Sequence, residues 1–114
     1  MNYSINENDV TWTPHPSGLA GVAIKKLRSS IENDFQESIA IVRINSGSTV
    51  PSHIHQNEDD NLYILAGSGK MKVDDELYNL KKGVQITVPT GIKHEIFDVT
   101  EELLIYDVFA PGIF

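Results

Sequence analysis

An all-β domain, a sandwich or barrel of short antiparallel strands, is the fold class this sequence predicts, and three observations predict it. Runs rich in isoleucine, valine and leucine recur along the chain. Glycine, proline and aspartate separate them at intervals of roughly 8–12 residues. Sustained helical periodicity is missing: the best-capped segment, "SSIENDFQESI" (29–39), is brief and its apolar residues are poorly spaced for a helix face.

Taken in order, residues 1–18 are polar and carry a Pro-His-Pro insert, which predicts an arm or an edge strand rather than core. The remainder, 19–114, reads as one barrel. "LAGVAIKKLR" (19–28) and "QESIAIVRIN" (36–45) are strands by their β-branched content, with "SSIENDF" polar enough to be a loop between them. "SGSTVP" (46–51) is a turn leading into a short extended piece, and "LYILAG" (62–67) an apolar strand stopped by glycine. "GKMKVDDELYNLKKG" (69–83) reads as a hairpin, with Met71 and Val73 alternating with lysines and Asp74-Asp75 at the turn. "VQITVP" (84–89), "HEIFDV" (94–99) and "ELLIYDVF" (102–109) complete the series.

A chain of 114 residues suits one domain with one core. With no cysteine, disulfides and thiolate metal sites are excluded. The net charge of −7 argues against nucleic acid and against anionic membrane as partners, both of which are held mainly through lysine and arginine. The N-terminus lacks the basic and apolar regions of a signal peptide and no apolar stretch is long enough to span a bilayer, so a cytoplasmic protein is expected. An anionic substrate would need a local basic group, for which Lys93 and Arg43 are candidates.

The chemistry concentrates in "VPSHIHQNEDDNLYILAG" (50–67). His53 and His55 differ by two, so on a strand their imidazoles project from one face and can meet one ion. Carboxylates follow at Glu58, Asp59 and Asp60, and a third imidazole, His94, stands in "VPTGIKHEIFDV". Such nitrogen and oxygen donors suit Zn, Fe, Mn, Ni or Cu. His15, the fourth histidine, lies between two prolines in the arm, apart from this group.

These two segments resemble the paired motifs of the cupin superfamily. Gly47, His53, His55, Asp60 and Gly67 match G-x5-H-x-H-x(3,4)-E-x6-G, with aspartate in place of glutamate. Gly83, Pro89, Gly91, His94 and Asp98 match G-x5-P-x-G-x2-H-x3-N, with aspartate in place of asparagine. The resemblance implies a single-domain antiparallel β-barrel of jelly-roll type, usually a homodimer, in which the arm could exchange as an edge strand. It also implies that His53, His55, Asp60 and His94 ligate a divalent transition metal (Fe, Mn, Ni or Zn). Asp60 is one methylene shorter than the family's glutamate, which leaves Glu58 and Asp59 as neighbours able to substitute. Asp98 shares the strand parity of His94 and Ile96 and is expected to face the interior as a pocket residue.

In the last strand, Leu103, Ile105, Asp107 and Phe109 share one face. If that face is inward, Asp107 is a buried carboxyl near the metal, and desolvation would raise its pKa towards that of a usable general acid or base. "DVFAP" resembles the C-terminal segment of small cupins that linearise unsaturated uronates, which would place Asp107 and Phe109 in the pocket. The arginine that would hold a uronate carboxylate is missing, with Ile113 near its place. The sequence thus points to a metal-dependent enzyme on a small polar or carbohydrate-like molecule, of dioxygenase or isomerase/lyase type. A small-molecule-binding or sensing cupin, and a cupin shell without metal, stay open at this level.

Overall fold

A computed structural model describes residues 3–114. Eight antiparallel strands make up just over half of it and nearly all of its regular structure: β1 (Thr13–Pro14), β2 (Val22–Arg28), β3 (Ser38–Ile44), β4 (Val50–His53), β5 (Asp59–Val73), β6 (Glu76–Lys81), β7 (Gln85–Val88) and β8 (His94–Ala110). They form one sheet in the order β1-β2-β3-β8-β5-β6, with β4 added to β8 and β7 to β5. The all-β prediction holds. Hydrogen bonds do not close the sheet into a complete ring; it wraps as a jelly roll whose two layers share β5 and β8.

Those two strands carry the architecture because each bends from one layer into the other. The N-terminal half of β5 pairs with the C-terminal half of β8, Asp60 opposite Phe109 and Ile64 opposite Ile105. The C-terminal half of β5 pairs with the start of β8, Val73 opposite His94. Register shifts between residues 64 and 70 of β5 mark the bend. Gly67, expected to stop a strand, instead sits inside β5 with φ of +93°. A Cβ there would run into the backbone of Glu102 and Leu103, so only glycine lets the crossing chains approach.

Between the layers lie the fully buried Ile44, Ile64, Met71, Leu80, Leu103 and Ile105. The alternation expected for the final strand is observed, with Leu103, Ile105 and Asp107 turned inward. The 29–39 segment contains one short helix, α1 (Ser30–Asn33), where the Ser29 hydroxyl accepts the Glu32 N–H. Beside it the chain end is tied down: the buried Ser38 hydroxyl donates to the Phe114 carbonyl (2.7 Å) and accepts from the N–H groups of Ile113 and Phe114. None of the described helices is long and apolar enough to cross a membrane.

Candidate metal centre

Strand β4 delivers His53 directly opposite His94 of β8, so two residues distant in sequence become cross-strand partners. His55 lies just beyond the end of β4, in a loop stitched to the turn before β8. There the Gly91 N–H donates to the His55 carbonyl (2.8 Å), and Asp59 accepts from both the backbone N–H and the hydroxyl of Thr90. Gly91 has φ of +79°, a left-handed conformation that a side chain would strain. Two sequence motifs are thereby locked together by backbone.

The three imidazoles converge. Their rings lie 4.2 Å (His53–His94), 4.9 Å (His53–His55) and 5.1 Å (His55–His94) apart, and one nitrogen from each falls within 4.8 Å of the others. Two of them are oriented by carbonyl groups. His53 Nδ1 is 2.8 Å from the Pro51 oxygen and His94 Nδ1 is 2.9 Å from the Ile92 oxygen. A carbonyl only accepts, so Nδ1 carries the proton in both rings and Nε2 presents its lone pair. This is how a protein fixes the tautomer of a metal-binding histidine. Burial lowers the His53 pKa, helped by the neighbouring His94 and His55 against the Pro51 carbonyl and Asp60, and a neutral ring is what a ligand must be.

Asp60 stands beside this group, its Oδ2 3.6 Å from His55 Nε2 and 3.7 Å from His94 Nε2. Asp59 does not compete, since its carboxylate is engaged by Thr90. Asp60 and Asp107 approach each other as a diagonal pair across β5 and β8, and their ionisation splits. Burial works to raise the Asp60 pKa, but contacts with Asp107, His55 and His94 outweigh it and hold the group well below the usual carboxylate range. Asp107 moves the other way: burial, then the hydrogen bond to Asp60 and its charge, push it well above. Asp60 is therefore the anion, and Asp107 the acid that donates to it.

Among the described residues, three buried side-chain atoms have no hydrogen-bond partner: Asp60 Oδ1, His94 Nε2 and Asp107 Oδ1. The 3.6 and 3.7 Å separations of Asp60 Oδ2 from His55 Nε2 and His94 Nε2 are too long for hydrogen bonds and leave room for a cation between the groups. The donor set, three imidazoles and one carboxylate, fits a divalent transition metal.

The cluster forms one end of a cavity of about 250 Å³. Phe109 lines it as the sequence suggests, packing edge-on against His55 with ring centroids 5.4 Å apart. Asp98 does not. Its backbone is left-handed (φ 48°), and between the pairs Lys70–Phe97 and Ser68–Glu101 strand β8 carries two extra residues. This bulge breaks the alternation that started at His94, sending Val99 inward and leaving Asp98 exposed, 3.8 Å from Lys70. Aspartate, like asparagine, tolerates that conformation. Lys93 is exposed, and Arg43 stacks on Trp12 (4.4 Å) outside the barrel, so neither reaches the cavity. His15 is the residue that sequence reasoning set aside: its strand-edge turn brings it into the cavity wall, close enough to His55 that the two rings feel each other's charge.

Residues 40–109 match the Cupin domain, well over half of the chain. The protein is a cupin. Among curated relatives, an uncharacterised protein of Methanocaldococcus jannaschii, MJ1618, is 32% identical over 73 residues, 64% of this chain and 58% of that one. Of solved structures, KdgF from Halomonas sp. superposes with a TM-score of 0.83 at 17% identity, covering 97% of this cupin and 94% of KdgF. A predicted oxalate decarboxylase from Thermotoga maritima gives 0.82 at 21% identity, covering 95% and 98%. At such identities the likeness establishes the fold and nothing finer.

Proposed function

We propose that this cupin is a metal-dependent enzyme acting on a small molecule, with His53, His55, His94 and Asp60 holding the ion and Asp107 moving a proton. A divalent ion at that position supplies Lewis acidity and, if redox-active, electron transfer. The observation that carries the reading is Asp107: a buried carboxyl whose pKa is pushed up by burial and by Asp60 beside it, in the wall of the same cavity. A group used only to hold a metal has no need of a second, protonated carboxyl. An acid that gives its proton to one substrate atom and takes a proton back from another atom of the same substrate is suited to isomerisation or elimination. Proton transfer thus favours the redox-neutral version over a dioxygenase. Likeness in fold to KdgF and to the decarboxylase-like protein is compatible with catalysis.

The test pairs metal analysis with Asp107→Asn. This variant should retain the wild-type metal content and lose turnover of whichever substrate the native protein converts. Equal turnover in both proteins would remove Asp107 from the mechanism. A ligand retained unchanged by the metal-loaded native protein would instead mark a binding module.

A second copy of the chain is the proposed partner. On the outer face of the sheet Tyr106 lies directly beside Tyr63 and Ile41, and Ile39, Val108, Leu104 and Leu65 surround them. Tyr63, Leu65 and Tyr106 are 44%, 38% and 37% exposed. Outward positions 39–43, 61–65 and 104–108 hold no carboxylate, although the chain has 16 acidic residues, and their one cation, Arg43, is engaged by Trp12 and Glu102. Three strands by three outward residues span roughly 300 Å² of sheet. The flanking strands and the arm, with Tyr3 and Ile5 exposed, must supply the rest of the roughly 800 Å² per partner that a stable dimer buries.

A further inference from the structure

We infer that the cavity takes a compact, largely apolar molecule with a single oxygen-bearing head, which meets the histidine cluster, and that it rejects sugar acids. This rests on the metal reading above and goes beyond it by naming the ligand class. Beyond the cluster the walls are Val22, Ile24, Val42, Val50, Phe109 and Phe114. Among the described residues, no lysine or arginine lines the space. Its volume of about 250 Å³ is room for roughly eight water-sized groups, at or below the small end of ordinary ligand pockets.

Polarity decides between ligand classes here. A sugar or sugar acid carries a hydroxyl on nearly every carbon, and each one buried without a partner is unfavourable. Besides the cluster and Asp107, the polar side chains that could answer them are His15 and Ser17, both from the N-terminal arm. His15 Nδ1 already accepts the Ser17 backbone N–H (3.1 Å), so the remaining proton sits on Nε2, a single neutral donor. A carboxylate remote from the metal would find no cation at all. An apolar body, by contrast, loses nothing on leaving water and fits against valine, isoleucine and phenylalanine. The same lining makes His15, close to His55, the specificity-determining polar group beside the head of the ligand.

The test uses cobalt(II) as metal and three probes: benzohydroxamate, acetohydroxamate and D-galacturonate. Two hydroxamates share a chelating head and differ only in phenyl against methyl, so their ratio reads the walls alone. Cobalt is titrated first, following its visible absorption bands. If no bound-cobalt spectrum forms, or if His94→Ala gives the same one, the metal reading fails before any ligand is tested. On cobalt-loaded protein, shifts of those bands and calorimetry should show benzohydroxamate binding at least ~10-fold tighter than acetohydroxamate, the factor expected for burying a phenyl group. Galacturonate should bind more weakly than either. Val42→Phe, which fills the cavity without touching a ligand residue, should abolish the preference for phenyl while leaving cobalt bound. Should that variant not fold, Phe114→Ala removes one wall near the chain end, where the backbone itself holds the tail, and should shrink the preference. Equal affinities for the two hydroxamates in the native protein, or tighter binding of galacturonate, would overturn the inference.

Discussion

Replacing Asp107 with asparagine changes one proton-binding site and almost no volume, and its effect on the pH dependence of stability follows from linkage. Asp107 is buried and its folded pKa is raised, by burial first and then by Asp60. In the unfolded chain the same group ionises near its ordinary value of 3.8. Between those two values the folded protein holds one more proton than the unfolded one, so raising the pH destabilises the fold. One proton of difference gives a slope of at most about 1.4 kcal/mol per pH unit wherever the pH lies between the two values. Asp60 adds no slope in this window, because its depressed folded pKa and its ordinary unfolded one both lie below it. His53 and His15, with folded values lowered by burial, contribute with the opposite sign as pH rises towards 6.5, and do so in both proteins.

The quantity to measure is therefore a difference between proteins. Urea unfolding of chelator-treated native protein and Asp107→Asn, at pH 5, 6 and 7, removes whatever the two share. The stability of the native protein relative to the variant should fall steadily across the series. A difference that stays flat would mean that Asp107 is ionised in the folded state. It would then be no proton donor, and the mechanism built on it would fail.

Other consequences are simpler to read. His53→Ala or His94→Ala should abolish tight metal retention, checked by elemental analysis, with the β-sheet circular dichroism intact; His15→Ala should leave metal content unaltered. Gly67→Ala should destabilise by more than the roughly 1–2 kcal/mol of left-handed backbone alone, because its Cβ also meets the Glu102 backbone, and urea midpoints would show it. Tyr106→Lys, placed at the centre of the outer apolar face, should convert a dimer to a monomer in sedimentation equilibrium; identical masses for native and variant would move the interface elsewhere.

Spacing made most of this site readable in advance. Two histidines at strand separation, a carboxylate at a fixed offset from Gly67 and a third histidine after a Pro-x-Gly turn constrain one another, and the structure brings all four together. Parity did equally well for Asp107, because β8 is regular from Leu103 onward. It failed for Asp98, since a strand read as strictly alternating cannot show a bulge, and the residue's own left-handed conformation is what creates one. His15 escaped for a different reason. Its place in the wall depends on β1 pairing with β2, Thr13 opposite Ile24, a two-residue contact with no pattern of its own. Likewise, "LYILAG" and the following hairpin strand form one bent element, because the close approach of β5 and β8 at Gly67 is a tertiary fact.

The aspartate at position 60 acquires a reason from its neighbour. Asp60 is opposite Phe109, and Asp107 is opposite Leu62, so the two acids face inward on a diagonal of the β5–β8 ladder. Diagonal partners stand far enough apart that two short side chains can meet head to head. A glutamate at 60 would carry its carboxyl one methylene further, past the point where Asp107 can donate to it. The shorter residue leaves the carboxylate at 3.6–3.7 Å from two imidazole nitrogens, somewhat wider than the roughly 3 Å between neighbouring ligands on one ion. Reach towards the metal is thus exchanged for a proton held against it. In the proposed mechanism that exchange gives the same pair of acids two tasks, one for binding and one for proton transfer, and it is the environment rather than the residue type that assigns them.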